Sequence, residues 1–174
     1  MEYVRLGKTN LLASRTAFGA MSLKHTGDAE TASTLIRKAY EAGINFFDTS
    51  RSNGASEKLL GDALYEVREN VIIATKSKAS SGQELLCDLD ESLDALHCDA
   101  IDLYQYETES FIPTADGKDG IYQTLLTMKA SGKIKHIGAV TEDFDTASEI
   151  IKTELYETIQ FPFSMISPLV TSSL

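Results

Sequence analysis

Gly43-Ile44-Asn45-Phe46-Phe47-Asp48-Thr49 is the stretch that decides how this chain folds. A glycine placed to stop a helix is followed at once by a short apolar run, and the run ends in a carboxylate. Upstream, Asp28 stands where a helix N-cap belongs. Leu35, Ile36, Ala39 and Tyr40 recur at helical spacing between Ala32 and Ala42, which makes Gly43 the C′ residue. Ile44 to Asp48 then reads as a strand.

The same phrase repeats downstream. Ser56 to Tyr65 is a helix, Val71 to Lys76 a strand, Gln83 to Leu96 a helix and Ala100 to Tyr106 a strand. Gly120 to Ala130 is a helix closed by Gly132, Ile134 to Val140 a strand, Thr146 to Leu155 a helix and Thr158 to Phe161 a strand. Before the quoted stretch, Thr16 to Gly19 is a short strand followed by a loop to about Gly27. At the start, Tyr3 to Leu6 and Leu11 to Ser14 flank the turn-forming Gly7-Lys8-Thr9-Asn10 as a hairpin. After that hairpin, six strands and five helices alternate at roughly 30 residues per unit. Such alternation implies a parallel sheet with helices packed outside it. Two architectures fit: a doubly wound open sheet and a (β/α)₈ barrel. A complete barrel needs about 250 residues, so periodicity taken alone favours the open sheet. A dinucleotide fingerprint G-x-G-x-x-G is expected after the first strand of a Rossmann unit, and Phe18-Gly19-Ala20-Met21-Ser22 does not supply it.

Composition narrows the function. The chain has 174 residues with 43% hydrophobic content, which suits one globular domain over residues 1–174. Twenty-six acids against 16 bases give a net charge of −10. That excludes the basic footprint of a nucleic-acid or anionic-membrane surface. No apolar run is long enough to span a bilayer and the N-terminus has no signal-peptide core, so a cytoplasmic protein is expected. Cys87 and Cys98 form no CxxC pair and no metal-ligand spacing, and read as two buried reduced thiols.

In a parallel architecture the chemistry collects at the carboxyl ends of the strands. Asp48, Lys76 and Glu107 close three successive strands, Thr141-Glu142 follow the fifth and Gln160 lies on the sixth. With a side-chain period of two, all three ionisable groups can point into one mouth. A lysine placed there between two carboxylates can polarise a hydroxyl or a bound carbonyl. A cluster of ion pairs that only closes the top of the sheet fits the same spacing. Tyr104 and Tyr106 fall one residue off the Glu107 face and are expected to pack under helices. His25 sits in the loop after the first strand, as a solvated residue or a substitute proton donor. His97 belongs to the opposite end, His136 reads as structural, and Asp88 to Asp94 as a solvated helix face.

With these residues in view, the sequence resembles the aldo-keto reductase family along nearly its whole length. Tyr3 to Thr9, Phe18 to Ser22, Gly43 to Thr49, Ser56 to Gly61, Ile73 to Lys76, Ile101 to Gln105 and Gly132 to Gly138 match the family's pattern in order. The resemblance implies a (β/α)₈ TIM-barrel fold, here truncated to about six β/α strands with an N-terminal hairpin plugging the floor. It implies NADPH-dependent reduction of aldehydes or ketones, with a small carbonyl substrate. Asp48 takes the place of the family's aspartate and Lys76 that of its lysine. Gly19, Ala20, Met21, Thr141, Glu142 and Gln160 take cofactor-binding positions. Two positions depart from the family: Asn53 stands where the proton-donating tyrosine belongs, and Glu107 where the histidine belongs. Asparagine has no proton to deliver near neutral pH. Glu142 replaces the amide that helps hold the cofactor's carboxamide. The chain is also expected to lack the last two strands, which in the family hold the adenosine and phosphates. These departures imply a weak carbonyl reductase or a catalytically inactive relative serving as an interaction partner or remnant. An open sheet edge would then be covered by a second copy in a homo-oligomer.

Overall fold

The computed structural model describes residues 1–163. Strands β1 (Tyr3–Arg5) and β2 (Leu12–Ser14) form an antiparallel hairpin. The remaining strands are β3 (Phe18–Gly19), β4 (Phe46–Asp48), β5 (Ile72–Ser77), β6 (Ile101–Glu107), β7 (Ile134–Val140) and β8 (Thr158–Gln160). They form one six-stranded parallel sheet in the order β3-β4-β5-β6-β7-β8. Helices α1 (Ala29–Glu41), α2 (Ser56–Leu64), α3 (Gly82–Leu96), α4 (Ile121–Ala130) and α5 (Phe144–Thr153) connect them.

The strand order resolves the choice the periodicity leaves open. A doubly wound sheet reverses its order at a switch point, whereas here every strand is added on the same side of its predecessor. The register carries the stagger of a barrel. Asp48 lies level with Ala74 and Lys76 with Gln105, so the residue that lines the mouth climbs by two from β4 to β5. It climbs by two again from β5 to β6, where Glu107 lies level with Val140 and Val140 with Gln160. Such stagger accompanies strand tilt and curls the sheet. The curl is deep enough for Gln160 on β8 to reach Asp48 on β4, Nε2 to Oδ2, at 3.4 Å. The fold is a curled half-barrel of TIM type.

The core lies between the outer face of this sheet and the helices. Phe47, Ile73, Tyr104 and Ile137 alternate outward from β4 to β7 and are buried. Onto them α3 lays Leu85, Leu89, Ser92 and Leu96, and α4 lays Ile121, Leu125 and Met128, both at helical spacing. Each such Leu or Ile contributes about 1.5–3 kcal/mol on burial. Gly61 lets α2 meet α3 closely: a Cβ there would stand 2.5 Å from the Ala95 carbonyl oxygen.

The helix ends follow local rules. Asp28, Ser81 and Asp143 accept N-cap hydrogen bonds from Thr31, Glu84 and Thr146. Gly43 adopts φ 93° after α1, as its place after the helix requires. Helix α5 begins two residues earlier than its apolar spacing suggests, because Asp143 caps it. It ends at Glu154, in the left-handed region at φ 57°.

The hairpin closes the floor, at the end away from the strand tips. Asn45 accepts from Ser14 N–H at 2.7 Å, donates to the Leu12 carbonyl at 3.0 Å and gives its own N–H to Ser14 Oγ at 3.1 Å. The Lys8 N–H donates to the Glu157 carbonyl at 3.0 Å, so the turn is tied to the start of β8.

One expectation fails in this frame. Cys87 is exposed, because it lies on the outer face of α3 beside Leu86, while only Cys98 is partly buried. Burial pushes the Cys98 thiol up from its ordinary value, although Arg68 works against it. Among the described residues no helix is long and apolar enough to cross a membrane.

Candidate active site

Each strand of the sheet gives one residue from its carboxyl end to a single cavity of about 820 Å³: Gly19, Asp48, Lys76, Glu107, Val140 and Gln160. The loops after the strands complete its wall with Ala20, Met21, Asn53, Lys78, Thr141 and Glu142 among others. Every site position named from the sequence therefore lies on one cavity: Asp48, Lys76, Asn53, Glu107, Gly19, Ala20, Met21, Thr141, Glu142 and Gln160. Three other candidates lie elsewhere. His25 is exposed and off the cavity wall. Tyr104 and Tyr106 face outward, where burial raises both phenols and the Tyr106 hydroxyl donates to the Ala79 carbonyl at 3.1 Å.

The wall is held by a chain of polar contacts across four strands. Lys76 Nζ donates to Asp48 Oδ1 at 2.7 Å and to the Thr49 carbonyl at 2.6 Å. Gln160 Nε2 approaches the other Asp48 oxygen, and Gln160 Oε1 accepts from Gln105 Nε2 at 3.1 Å. Gly138, on β7 between Gln105 and Thr158, makes room for this. A Cβ there would stand 2.4 Å from Thr158 Oγ1 and 3.0 Å from Gln105 Cγ.

The lysine expected between two carboxylates pairs with one of them. Glu107 is bound instead by Lys78, Nζ to Oε1 at 3.2 Å. Lys78 lies just past the end of β5, where the strand's alternation no longer fixes the side chain, and its flexible stem reaches across to β6. Only its proximity to the strand end points to this partner in the sequence.

A second cluster, also missed in the sequence, supports the segment that carries Asn53. Ser50 caps a 3-10 turn over Arg51–Asn53. Arg51 forms an ion pair with Glu57, which is wholly buried at the start of α2. Glu57 Oε1 also accepts from Thr75 Oγ1 and Ser92 Oγ, both at 2.7 Å. One carboxylate thus joins the loop after Asp48 to the strand of Lys76 and to α3. At the cavity edge, Thr146 donates to Asp143 through its backbone and its hydroxyl, and these bonds hold the Asp143 carboxyl below its ordinary value.

The donor set suits one end of a nicotinamide cofactor. The Thr141 hydroxyl accepts from the Asp143 N–H at 3.2 Å, which leaves its own proton to donate. Glu142 brings a carboxylate acceptor to the same wall. Together they match the acceptor and donor ends of a carboxamide. The wall carries five carboxylates against two lysines. Both lysines are engaged in ion pairs, so the described wall offers no free cation to a phosphate. Among the described residues no group of His, Cys, Asp and Glu could hold a metal ion.

Comparison with known proteins agrees with the fold. The model of the aldo/keto reductase family matches residues 15–171. An uncharacterised oxidoreductase of Bacillus subtilis is 30% identical over 162 residues, covering 80% of this chain and 49% of that protein. The L-galactose dehydrogenase of Arabidopsis thaliana is 32% identical over 152 residues, covering 79% and 48%. Among solved structures, the holo form of an aldo-keto reductase from Bacillus halodurans superposes with a TM-score of 0.82 at 27% identity. That match covers 94% of this chain and 58% of the other. The chain spans about half the length of the curated relatives it matches.

Proposed function

Because the chain belongs to the aldo/keto reductase family, we propose that its cavity is a nicotinamide-dependent site for reducing small aldehydes or ketones, slowed by the loss of its usual acid. The observation that carries this reading is the Lys76–Asp48 pair, fixed at 2.7 Å on the wall of the one cavity to which all six parallel strands contribute. A pair so held keeps a cation beside the place where negative charge develops on a carbonyl oxygen. Thr141 and Glu142 would hold the carboxamide of NADPH, and Gly19, Ala20 and Met21 would border its ring. When bound, the cofactor supplies the hydride. The protein's part is to orient the carbonyl against it, to stabilise charge on oxygen and to deliver a proton. Asn53 removes the usual source of that proton, and Lys78 occupies Glu107.

Those last two features favour a second reading, in which the chain is a catalytically inactive relative kept for another role. Cofactor fluorescence separates the two. Titration with NADPH, and with NADH in parallel, is expected to show saturable micromolar binding, followed by slow oxidation when an activated aldehyde is added. No binding of either cofactor would favour the inactive relative.

A further inference from the structure

We propose that Lys76 itself, rather than a hydroxyl poised by it, donates the proton to the carbonyl oxygen; this rests on the reading of the cavity as a carbonyl-reducing site. An ammonium group has three N–H donors. Two are spent on Asp48 Oδ1 and the Thr49 carbonyl, and no third acceptor lies within hydrogen-bond distance among the described residues. Lys76 also forms part of the cavity wall, with 10% of its side chain accessible. Asn53 shares that wall but carries no acid. The Tyr104 and Tyr106 hydroxyls face away from it and His25 lies off it, and Lys78, with over half of its side chain exposed, is held by Glu107 alone and is not fixed against a bound oxygen. Of the two ammonium groups on the described wall, Lys76 is therefore the one held in place with an N–H left to offer a bound oxygen.

Asp48 and the Thr49 carbonyl fix the lysine's head, so a carbonyl oxygen can be met without reorganisation. In the reaction the carbonyl carbon takes a hydride from the reduced nicotinamide and its π pair moves onto oxygen. The O–H bond forms as an N–H bond of Lys76 breaks. The products are the alcohol, the oxidised nicotinamide and a neutral amine, which regains a proton from water through the open mouth.

The test uses the NADPH-loaded protein and two readouts. Benzamide, a carbonyl that the cofactor does not reduce, is titrated by calorimetry; para-nitrobenzaldehyde reports turnover. Lys76→Met is expected to keep NADPH binding, to lose benzamide affinity by about tenfold or more, and to lose turnover by about 10²–10⁴. Lys76→Arg keeps the charge but is no proton donor. It is expected to bind benzamide and NADPH like the parent and still lose turnover at least tenfold, by the same loss of the positioned acid. The Arg variant decides the matter should the Met variant fail to fold. Parent-like turnover in Lys76→Arg overturns the proposal. So does loss of benzamide binding in Asn53→Ala but not in Lys76→Met, and so does NADPH binding without any turnover in the parent. Failure of the parent to bind NADPH or NADH instead overturns the reading of the site itself.

Discussion

Asn53 lines the cavity without bringing an acid to it, and its replacement gives a direct prediction. Asn53→Tyr would set a phenol on the wall shared with Lys76, whose cation favours a proton-donating hydroxyl. Turnover is expected to rise by about 10²–10⁴ over the parent in a steady-state assay; an unchanged rate would contradict the role given to this position. Glu57 offers a stability test at the same scale. Glu57→Gln weakens the pairing with Arg51 while keeping the shape of the site, and is expected to cost about 1–3 kcal/mol in denaturant unfolding. A neutral result would show that the buried carboxylate does not support the Arg51–Asn53 turn. Asp48, Lys76, Glu107 and Gln160 were legible in the sequence because they sit at strand ends, where period two fixes their direction. Glu57 was not. A glutamate in the first turn of a helix reads as a solvated residue favoured by the helix dipole. Its burial depends on Arg51, Thr75 and Ser92, which only the tertiary fold brings to it.

At the scale of elements, strands and helices were legible almost throughout, because most of the apolar runs are bounded by a glycine or a capping side chain. Errors fell at ends set by side chains that the apolar spacing does not weigh, as with Asp143 at the start of α5. Closeness between helices was not legible either. Gly61 within α2 reads as a weak point in a helix, yet its missing side chain is what admits the backbone of α3. Gly61→Ala gains helix propensity but must displace the Ala95 carbonyl, and packing outweighs propensity here. The variant is expected to lose about 1–3 kcal/mol in thermal unfolding; a gain in stability would show that α2 can slide.

For the whole molecule, the floor is joined at Glu157, which precedes β8. Its side chain accepts from Lys129 Nζ at 2.6 Å, from His136 at 2.7 Å and from the Ile137 N–H at 2.9 Å, while its carbonyl holds the hairpin. Burial pushes this carboxyl up, but the bonds from Lys129, His136 and Ile137 outweigh it and leave the group below its ordinary value. A carboxyl with a lowered folded value stabilises the fold above the unfolded value, about 4.3, and the contribution is lost as pH falls through the folded one. Glu157→Gln is therefore expected to be less stable than the parent at neutral pH, with the difference shrinking below about pH 4. A difference independent of pH would assign the effect to packing alone.

The barrel type was the part of the whole that periodicity could not fix, since alternation serves open and closed sheets alike. The order of strands and their stagger settle it, and they place every strand-end candidate on one cavity. That convergence supports the proposed reading of the mouth as a site for hydride transfer to a carbonyl. The measurement that tests this most directly is a single turnover with NADPH deuterated at both C4 positions and para-nitrobenzaldehyde. The expected result is slow formation of alcohol carrying one deuterium on the former carbonyl carbon, slowed by about 10²–10⁴ in Lys76→Met. Bound cofactor with no deuterated alcohol over many hours, or equal deuterium transfer in the Lys76→Met variant, would contradict it.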